Sequence, residues 1–214
     1  MIKWLFLVLL LGVSISAFPQ LTFGLKGGLN YSRVIEKTDT SGWNGYSFAP
    51  SINVGVFADF NLTEKTSIAS EFLLSDKPFG YHGNSGTSHL LYINLPVMFS
   101  CDVSNRISLK AGPQAGLLIA TFGKNPEYLS AIYTNRFDLG IVAGIDYELS
   151  QSFILAFRFE QGLANMIGRE ASGLAYRLPP DGDAMIVGVN LRDAGVVHHN
   201  QNFQLAVKYK LLKR

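Results

Sequence analysis

Residues 21–32, LTFGLKGGLNYS, carry the pattern that decides the fold. Every second residue from Leu21 to Tyr31 is apolar or glycine, and the residues between them, from Thr22 to Ser32, are polar or small. A period of two is typical of a β-strand with one apolar face and one polar face. Such a strand fits a water-soluble sandwich, whose apolar faces meet in a core, or a membrane barrel, whose apolar face meets lipid.

The same alternation recurs along the rest of the chain, in residues 48–60, 66–75, 90–101, 107–119, 137–149, 153–163 and 202–211. These segments are about as long as the 9–11 residues that a tilted strand needs to cross a bilayer, whereas soluble strands are usually about 5–6 residues long. Short turns alternate with long loops, which are residues 33–47, 76–88, 120–136 and 164–200. Outer-membrane barrels likewise alternate short periplasmic turns with longer extracellular loops.

The charged residues decide which face meets lipid. All charges within the eight segments fall on the polar face, as Lys26, Glu71 and Arg158 do. An Arg or Lys turned to lipid at the bilayer midplane would cost about 2–4 kcal/mol. Charged residues are only 16% of the chain, against about 25% in soluble domains. We therefore predict an all-β protein: a transmembrane antiparallel up-and-down β-barrel of eight strands, with long extracellular loops and short periplasmic turns.

A ten-stranded barrel is the alternative. Within the fourth loop, residues 174–178 and 185–191 are strand-like and flank the turn signal PPDGD at residues 179–183. They form either a hairpin that projects above the membrane or two further barrel strands. The first segment is short for a membrane crossing, which favours eight strands.

Residues 1–20 have the layout of a secretory signal peptide. A short basic start at Lys3 is followed by an apolar run and by small residues, which predicts cleavage between about residues 16 and 20. A retained anchor is the alternative, but the run is short for a membrane helix. Residues 21–214 then form a single barrel domain in the bacterial outer membrane. Cys101 is the only cysteine, and the nearly neutral charge does not suggest nucleic acid as a partner.

Eight strands leave an interior just wide enough for side chains to fill it. The charged residues that point inward should therefore form a network of ion pairs and water, because an unpaired buried charge is costly. We predict Arg158 as its hub, with Glu71 or Glu160 as partner. The alternative is a set of separately solvated lumen residues. The predicted lumen charge network comprises Lys26, Glu71, Lys110, Asp146, Arg158, Glu160 and Lys208.

The loops contain aromatic residues that suit a membrane-interface girdle or an adhesive rim. The candidate loop surface comprises Trp43, Tyr46, Tyr81, Tyr128 and Tyr176. Ser88-His89, at the start of a strand, suggests a rim-located lipid hydrolase, but neighbouring strand residues point to opposite faces. The pair His198-His199 is a metal candidate, although two adjacent histidines in a surface loop usually bind no metal. We predict no catalytic residue, metal site or cofactor.

Several motifs resemble a known family. YINLPV at residues 92–97, AGP at 111–113, DLG at 138–140 and FRFEQGLAN at 157–165 resemble strand motifs of the PorT-like outer-membrane β-barrel proteins of Bacteroidetes. TFGLKGGLN at residues 22–30 is similar to that family's first strand. The resemblance extends over essentially all of the chain after residue 20, and it implies a fold and a location without a defined activity.

A filled barrel predicts a structural or interaction protein of the cell envelope that contacts outer-membrane lipid and presents its loops to an envelope protein partner. A narrow channel or small-solute transporter is the alternative function.

Overall fold

A computed structural model describes residues 21–38, 42–80, 86–123, 126–133, 135–168, 172–177, 185–190 and 195–213. Residues 1–20, with the predicted signal peptide, lie outside the described residues. The elements in chain order are β1 (Leu21–Thr38), β2 (Gly42–Gly45), β3 (Ser47–Asn61), β4 (Thr66–Gly80), β5 (Thr87–Ser104), β6 (Ile107–Gly123), α1 (Pro126–Ile132), β7 (Phe137–Glu148), β8 (Phe153–Gly162), β9 (Ser172–Arg177), β10 (Met185–Asn190) and β11 (Val197–Lys213). No helix among these elements is long and apolar enough to span a membrane.

Eight of the strands close into an antiparallel barrel. Each pairs with its neighbour in the order β11-β8-β7-β6-β5-β4-β3-β1, and β1 pairs back with β11. The closing ladder places Leu29 opposite Leu205 and Tyr31 opposite Phe203. Full closure leaves no strand edge unsatisfied, which a barrel in lipid requires. The predicted eight-stranded up-and-down barrel is confirmed.

The two segments of the fourth loop do not enter the barrel. β9 pairs in register with β10, from Ser172 opposite Asn190 to Arg177 opposite Met185, and the two strands form a separate antiparallel sheet. The projecting hairpin is therefore the arrangement adopted. The ten-stranded alternative is wrong, since six residues per strand are too few to cross the bilayer.

The two faces of each barrel strand have the expected directions. In β1, the outward side chain of Leu29 is 61% exposed, whereas the inward Lys26 and Asn30 are only 2% and 1% exposed. Apolar side chains form the outer surface around the barrel, and polar side chains fill its interior. Phe57 is one of the exceptions, because the same alternation turns this aromatic ring inward, where it is buried.

The strands reach further at one end than the sequence predicts. β1 runs to Thr38 rather than Ser32, because its distal part pairs with both β2 and β11. The third long loop, residues 120–136, contains α1. We call this end, which also carries β2, β9 and β10, the long-loop end; the other is the short-turn end. These extensions need partners that a reading of one strand at a time does not reveal.

Candidate functional site

A cluster of seven charged side chains fills the middle of the barrel. This lumen ion cluster comprises Lys26, Asp59, Glu71, Lys110, Asp146, Arg158 and Lys208. Every member is buried. The four cations outnumber the three carboxylates, and inward positions of seven of the eight barrel strands supply them, one residue from each.

Two carboxylates, Glu71 and Asp146, lie at the centre of the cluster. Glu71 forms ion pairs with Lys26 at 2.5 Å, Lys208 at 2.9 Å and Arg158 at 3.5 Å. Asp146 is held by Arg158 at 2.5 Å, Lys110 at 3.1 Å and Lys208 at 3.2 Å. Surrounding each acid with cations offsets the cost of burying it.

The structure brings six of the seven predicted network residues together and adds Asp59. Arg158 connects Glu71 to Asp146, but Lys208 connects the same two acids, so Arg158 is not the sole link. The predicted partner Glu71 lies beside Arg158. The other predicted partner, Glu160, pairs instead with Lys77 at 3.0 Å. Arg158 and Glu160 share a face of β8, but two residues of strand rise separate them along the barrel.

Inward glycines leave room for these long side chains. A β-carbon at Gly144 would lie 2.7 Å from Cδ of Arg158 and 2.1 Å from the carbonyl oxygen of Phe157. The aromatic ring of Phe57 lies beneath Lys208, whose Nζ is 4.6 Å from the ring centroid. The cluster is thus packed by neighbouring side chains.

A second polar level lies nearer the long-loop end. Gln114 donates from Nε2 to Glu160 at 3.3 Å, and Asn200 donates from Nδ2 to Asp138 at 2.9 Å. Between the two levels, the carboxamide oxygen of Asn30 accepts hydrogen bonds from Asn53 at 2.9 Å and Gln204 at 3.2 Å. Sequence reasoning missed Lys77, since it was assigned to a loop; the continued alternation of β4 would have placed it inward.

Apolar residues close the long-loop end of the lumen. This apolar cap comprises Val34, Phe79, Leu90, Tyr92, Leu118, Leu129, Ile132, Tyr133, Met166 and Ile167, with Tyr46 and Val196 packed against it. It is assembled from the ends of barrel strands, from α1 and from residues 163–168. Sequence reasoning did not find the cap, because its members come from segments distant in the chain.

Polar contacts hold the cap to the barrel wall. His198 is buried, and its Nε2 lies 3.0 Å from Oε2 of Glu36 while its Nδ1 lies 3.0 Å from the hydroxyl of Tyr133. Oδ1 of Asn165 accepts from the backbone N–H groups of Ile167 at 3.0 Å and His198 at 3.1 Å. Glu36 lies on the inward-facing side of β1, nearer the long-loop end than Tyr31. The hydrogen bond from His198 lowers the pKa of its carboxyl, against the opposing effect of partial burial. We call this group the cap latch: Glu36, His198, Tyr133 and Asn165.

The predicted loop surface is described only in part. Tyr46 is half-buried at the cap, where its hydroxyl donates to Glu36 at 3.3 Å and its ring packs edge-on against Phe79. Trp43, Tyr128 and Tyr176 belong to β2, α1 and β9, but their side chains lie outside the described part of the chain, as does the whole of Tyr81.

In the candidate catalytic pair and in the candidate metal pair, the two residues lie on opposite faces of the barrel wall. Ser88 is fully buried on the inner face, whereas His89 lies on the outer face, 2.8 Å from Asp76 and stacked on Phe122. His198 points inward, and His199 contacts the carbonyl oxygen of Ala164 at 3.1 Å. Among the described residues, no group of three or more His, Cys, Asp or Glu side chains is placed to hold a metal ion.

An open cavity of about 640 Å³ lies at the short-turn end. Its lining includes Asp59, Lys110 and Asp146, so it ends at the lumen ion cluster. Water therefore reaches the cluster from this side, while the second polar level and the apolar cap lie beyond it.

Solved structures with a similar barrel share little sequence with this chain. Ail, the attachment invasion locus protein of Yersinia pestis, is 12% identical with a TM-score of 0.48, and the match covers 90% of this chain and 99% of Ail. OprG of Pseudomonas aeruginosa is 10% identical with a TM-score of 0.44, covering 90% and 96%. Neisserial surface protein A is 11% identical with a TM-score of 0.43, covering 88% and 97%. A comparison with curated protein sequences finds no significant match.

The sequence itself identifies the family. The model of the outer membrane protein beta-barrel domain matches residues 18–168, which is well over half of the chain. The match agrees with the closed barrel and its apolar outer face. The chain belongs to the family of outer membrane protein beta-barrel domains and lies in the bacterial outer membrane.

Proposed function

We propose that this protein is a non-conducting barrel that acts as a structural or interaction protein of the cell envelope through its extracellular segments. The observation that carries the proposal is the filled lumen, which combines the buried lumen ion cluster with the apolar cap. Because side chains fill the lumen both at the ion cluster and at the apolar cap, the outer surfaces of the barrel remain for function.

The lumen ion cluster opposes passage of solutes. Its side chains are bound to one another across the barrel, as Lys26 is to Glu71 and Lys208 to Asp146. A passing ion would have to separate these pairs, and leaving one charge of a buried pair unmatched costs about 3–5 kcal/mol. An eight-stranded barrel has no further interior width to offer.

The cap gives the extracellular side a defined surface. α1 and residues 163–168 are anchored by buried side chains such as Leu129 and Ile167, and the N–H of Gly168 donates to the carbonyl of Ile132 at 3.2 Å. Segments anchored in this way lose less conformational entropy on meeting a partner than flexible loops do. This supports a binding role for the long-loop end.

We infer that the chain is a PorT-like member of its broader family. The motif at residues 157–165 supports this assignment, and it spans structural elements with different tasks: Arg158 contributes to the lumen ion cluster and Asn165 to the cap latch. The proposal includes no catalytic role, in keeping with Ser88 and His89 on opposite faces of the barrel wall. We also propose residues 1–20 as an export signal, which N-terminal sequencing of the protein from outer membranes would test.

Two measurements test the proposed function. In planar bilayers the purified barrel should show no discrete openings; reproducible conductance steps would support the channel alternative instead. Crosslinking in native envelopes followed by affinity capture should recover a specific envelope protein, crosslinked at the long-loop end. Crosslinks confined to the short-turn end would contradict the assignment of the binding surface.

A further inference from the structure

Two rows of side chains meet on the outer wall of β8, β11, β1 and β3. The row nearer the short-turn end is aromatic, and we call it the aromatic row: Phe159, Phe203 and Tyr31, which pair across β8, β11 and β1, together with the ring of Phe48 from β3, which stacks on Tyr31. One outward position closer to the long-loop end lies a polar ribbon, made of Gln161, Gln201 and Arg33. On β8, β11 and β1 the wall thus changes from aromatic to polar in a single step.

This step marks the outer boundary of the hydrocarbon region. On β1 the outward apolar residues extend from Leu21 to Tyr31, and the next outward side chain is Arg33. That distance matches the about 9–11 residues of a membrane-crossing strand. Aromatic side chains are enriched at such boundaries, where their rings lie at headgroup level. Arg33 therefore lies at the level of the outer-leaflet headgroups.

The guanidinium group of Arg33 is held in one orientation. Its Nε donates to Oε1 of Gln201 at 2.7 Å, and Gln201 donates in turn to Gln161 at 3.1 Å. Its Cζ lies 4.6 Å from the centroid of the Phe48 ring, and that ring stacks on Tyr31 at 4.8 Å. A cation fixed over an aromatic face is stabilised by the ring and needs no carboxylate to hold it.

The remaining donors of Arg33 are available for a ligand. Within the described part of the chain, no carboxylate forms an ion pair with Arg33, and only its Nε atom is used in a hydrogen bond. The two Nη groups of an arginine match the geometry of a phosphate, to which they donate in parallel. An anion at headgroup depth would satisfy both Nη groups and neutralise the charge of the guanidinium.

We propose that Arg33 binds the phosphate of an outer-leaflet lipid whose acyl chain lies along the aromatic row. Phosphate supplies the charge complementary to the guanidinium. Tyr31 and Phe203 supply an apolar surface one outward position below Arg33, and the Phe48 ring extends this surface beside it. The shared position of the two features favours a lipid over free phosphate, which would gain nothing from the aromatic row.

Native mass spectrometry of the folded barrel in detergent tests this assignment, with dioleoyl phosphatidic acid as the probe and dioleoylglycerol as the same lipid without its phosphate. The wild-type barrel should bind the phosphatidic acid in preference to dioleoylglycerol. Arg33→Gln should weaken that binding about tenfold, as expected for losing a charge-assisted contact. Arg33→Lys keeps the positive charge but loses the planar guanidinium group. Its affinity for the phosphatidic acid should lie between that of the wild type and that of Arg33→Gln.

Arg136→Gln is the matched control, because Arg136 is an exposed arginine at the same end of the barrel, outside the aromatic row. It should bind the probe as the wild type does. Equal losses in the two glutamine variants, unchanged binding by Arg33→Gln, or equal binding of dioleoylglycerol would overturn the proposal. Excess inorganic phosphate should not displace the lipid; full displacement would assign the site to free phosphate and contradict a lipid site.

Discussion

At the scale of single residues, Glu71 and Asp146 stabilise the lumen ion cluster more than Arg158 does, because each acid pairs with three cations. Two of those cations, Arg158 and Lys208, are common to both acids. Removing an acid leaves cations facing one another in a buried site. Removing Arg158 leaves each acid with two other cations.

We therefore expect Glu71→Gln to lower the free energy of unfolding by about 3–5 kcal/mol and Arg158→Met to lower it by less. Urea unfolding of the barrel in detergent micelles, followed by heat-modifiable gel mobility, measures both. Glu64→Gln, at an exposed glutamate in the short turn between β3 and β4, is the control and should be neutral. A larger loss for Arg158→Met than for Glu71→Gln would restore Arg158 as the hub.

At the scale of elements, the packing of β1 requires two of its three glycines, Gly24 and Gly28, but not the third, Gly27. A β-carbon at Gly24 would lie 2.6 Å from Cε1 of Phe57 and 2.0 Å from the carbonyl oxygen of Tyr209. At Gly27, which faces outward on the same strand, a β-carbon would have no neighbour within 4 Å.

Gly24→Ala should therefore destabilise the barrel by about 1–3 kcal/mol, the usual cost of overpacking. Gly27→Ala is the matched control and should leave the stability nearly unchanged. Comparing the urea midpoints of the two variants checks the difference. Similar midpoints would mean that the inner face of β1 is less tightly packed than the distances indicate.

The cap latch should respond to acid through Glu36. Its pKa is lower in the folded protein than in the unfolded chain, so its stabilising effect is complete above the ordinary glutamate value of about 4.3. This stabilisation is lost as the pH falls through the lowered pKa that Glu36 has in the folded protein.

Hydrogen exchange of the amides of Met166 and Gly168, corrected for intrinsic rates, reports on the cap at about pH 7 and about pH 3. Protection in the wild type should decrease at the acid pH. Glu36→Gln should show weaker protection at the neutral pH and a smaller change between the two. The Glu64→Gln variant should behave as the wild type, and an unaltered pH response in Glu36→Gln would exclude Glu36 as the titrating group.

At the scale of the whole molecule, the lumen is closed twice in series. The apolar cap lies at the long-loop end, and the lumen ion cluster lies between it and the cavity at the short-turn end. We propose that either closure alone excludes solutes, since a path across the membrane must pass both.

Asn165→Ala, which removes the acceptor for the N–H groups of Ile167 and His198, should loosen the cap without opening a channel. Arg158→Met, which alters the cluster under an intact cap, should also remain silent in planar bilayers. Discrete openings in Asn165→Ala alone would show that the cap is the only barrier.

The sequence by itself determined the barrel and the direction of each face, and it favoured eight strands, whereas the exclusion of ten strands came from the separate pairing of β9 with β10. The barrel and the direction of each face follow from a period of two and from the cost of a charge in lipid, and both are local properties of a strand. The same alternation selected six members of the lumen ion cluster, from Lys26 to Lys208.

Only the tertiary structure decided which charges meet and what closes the lumen. Glu160 pairs with Lys77 and not with Arg158, because strand tilt and register set the level of each side chain along the barrel axis. The apolar cap joins Val34, Leu129 and Ile167 from segments far apart in the chain, and no local pattern connects them. The polar ribbon beside the aromatic row likewise arises from the closing pair of β1 and β11, since pairing across the barrel is a property of the closed fold.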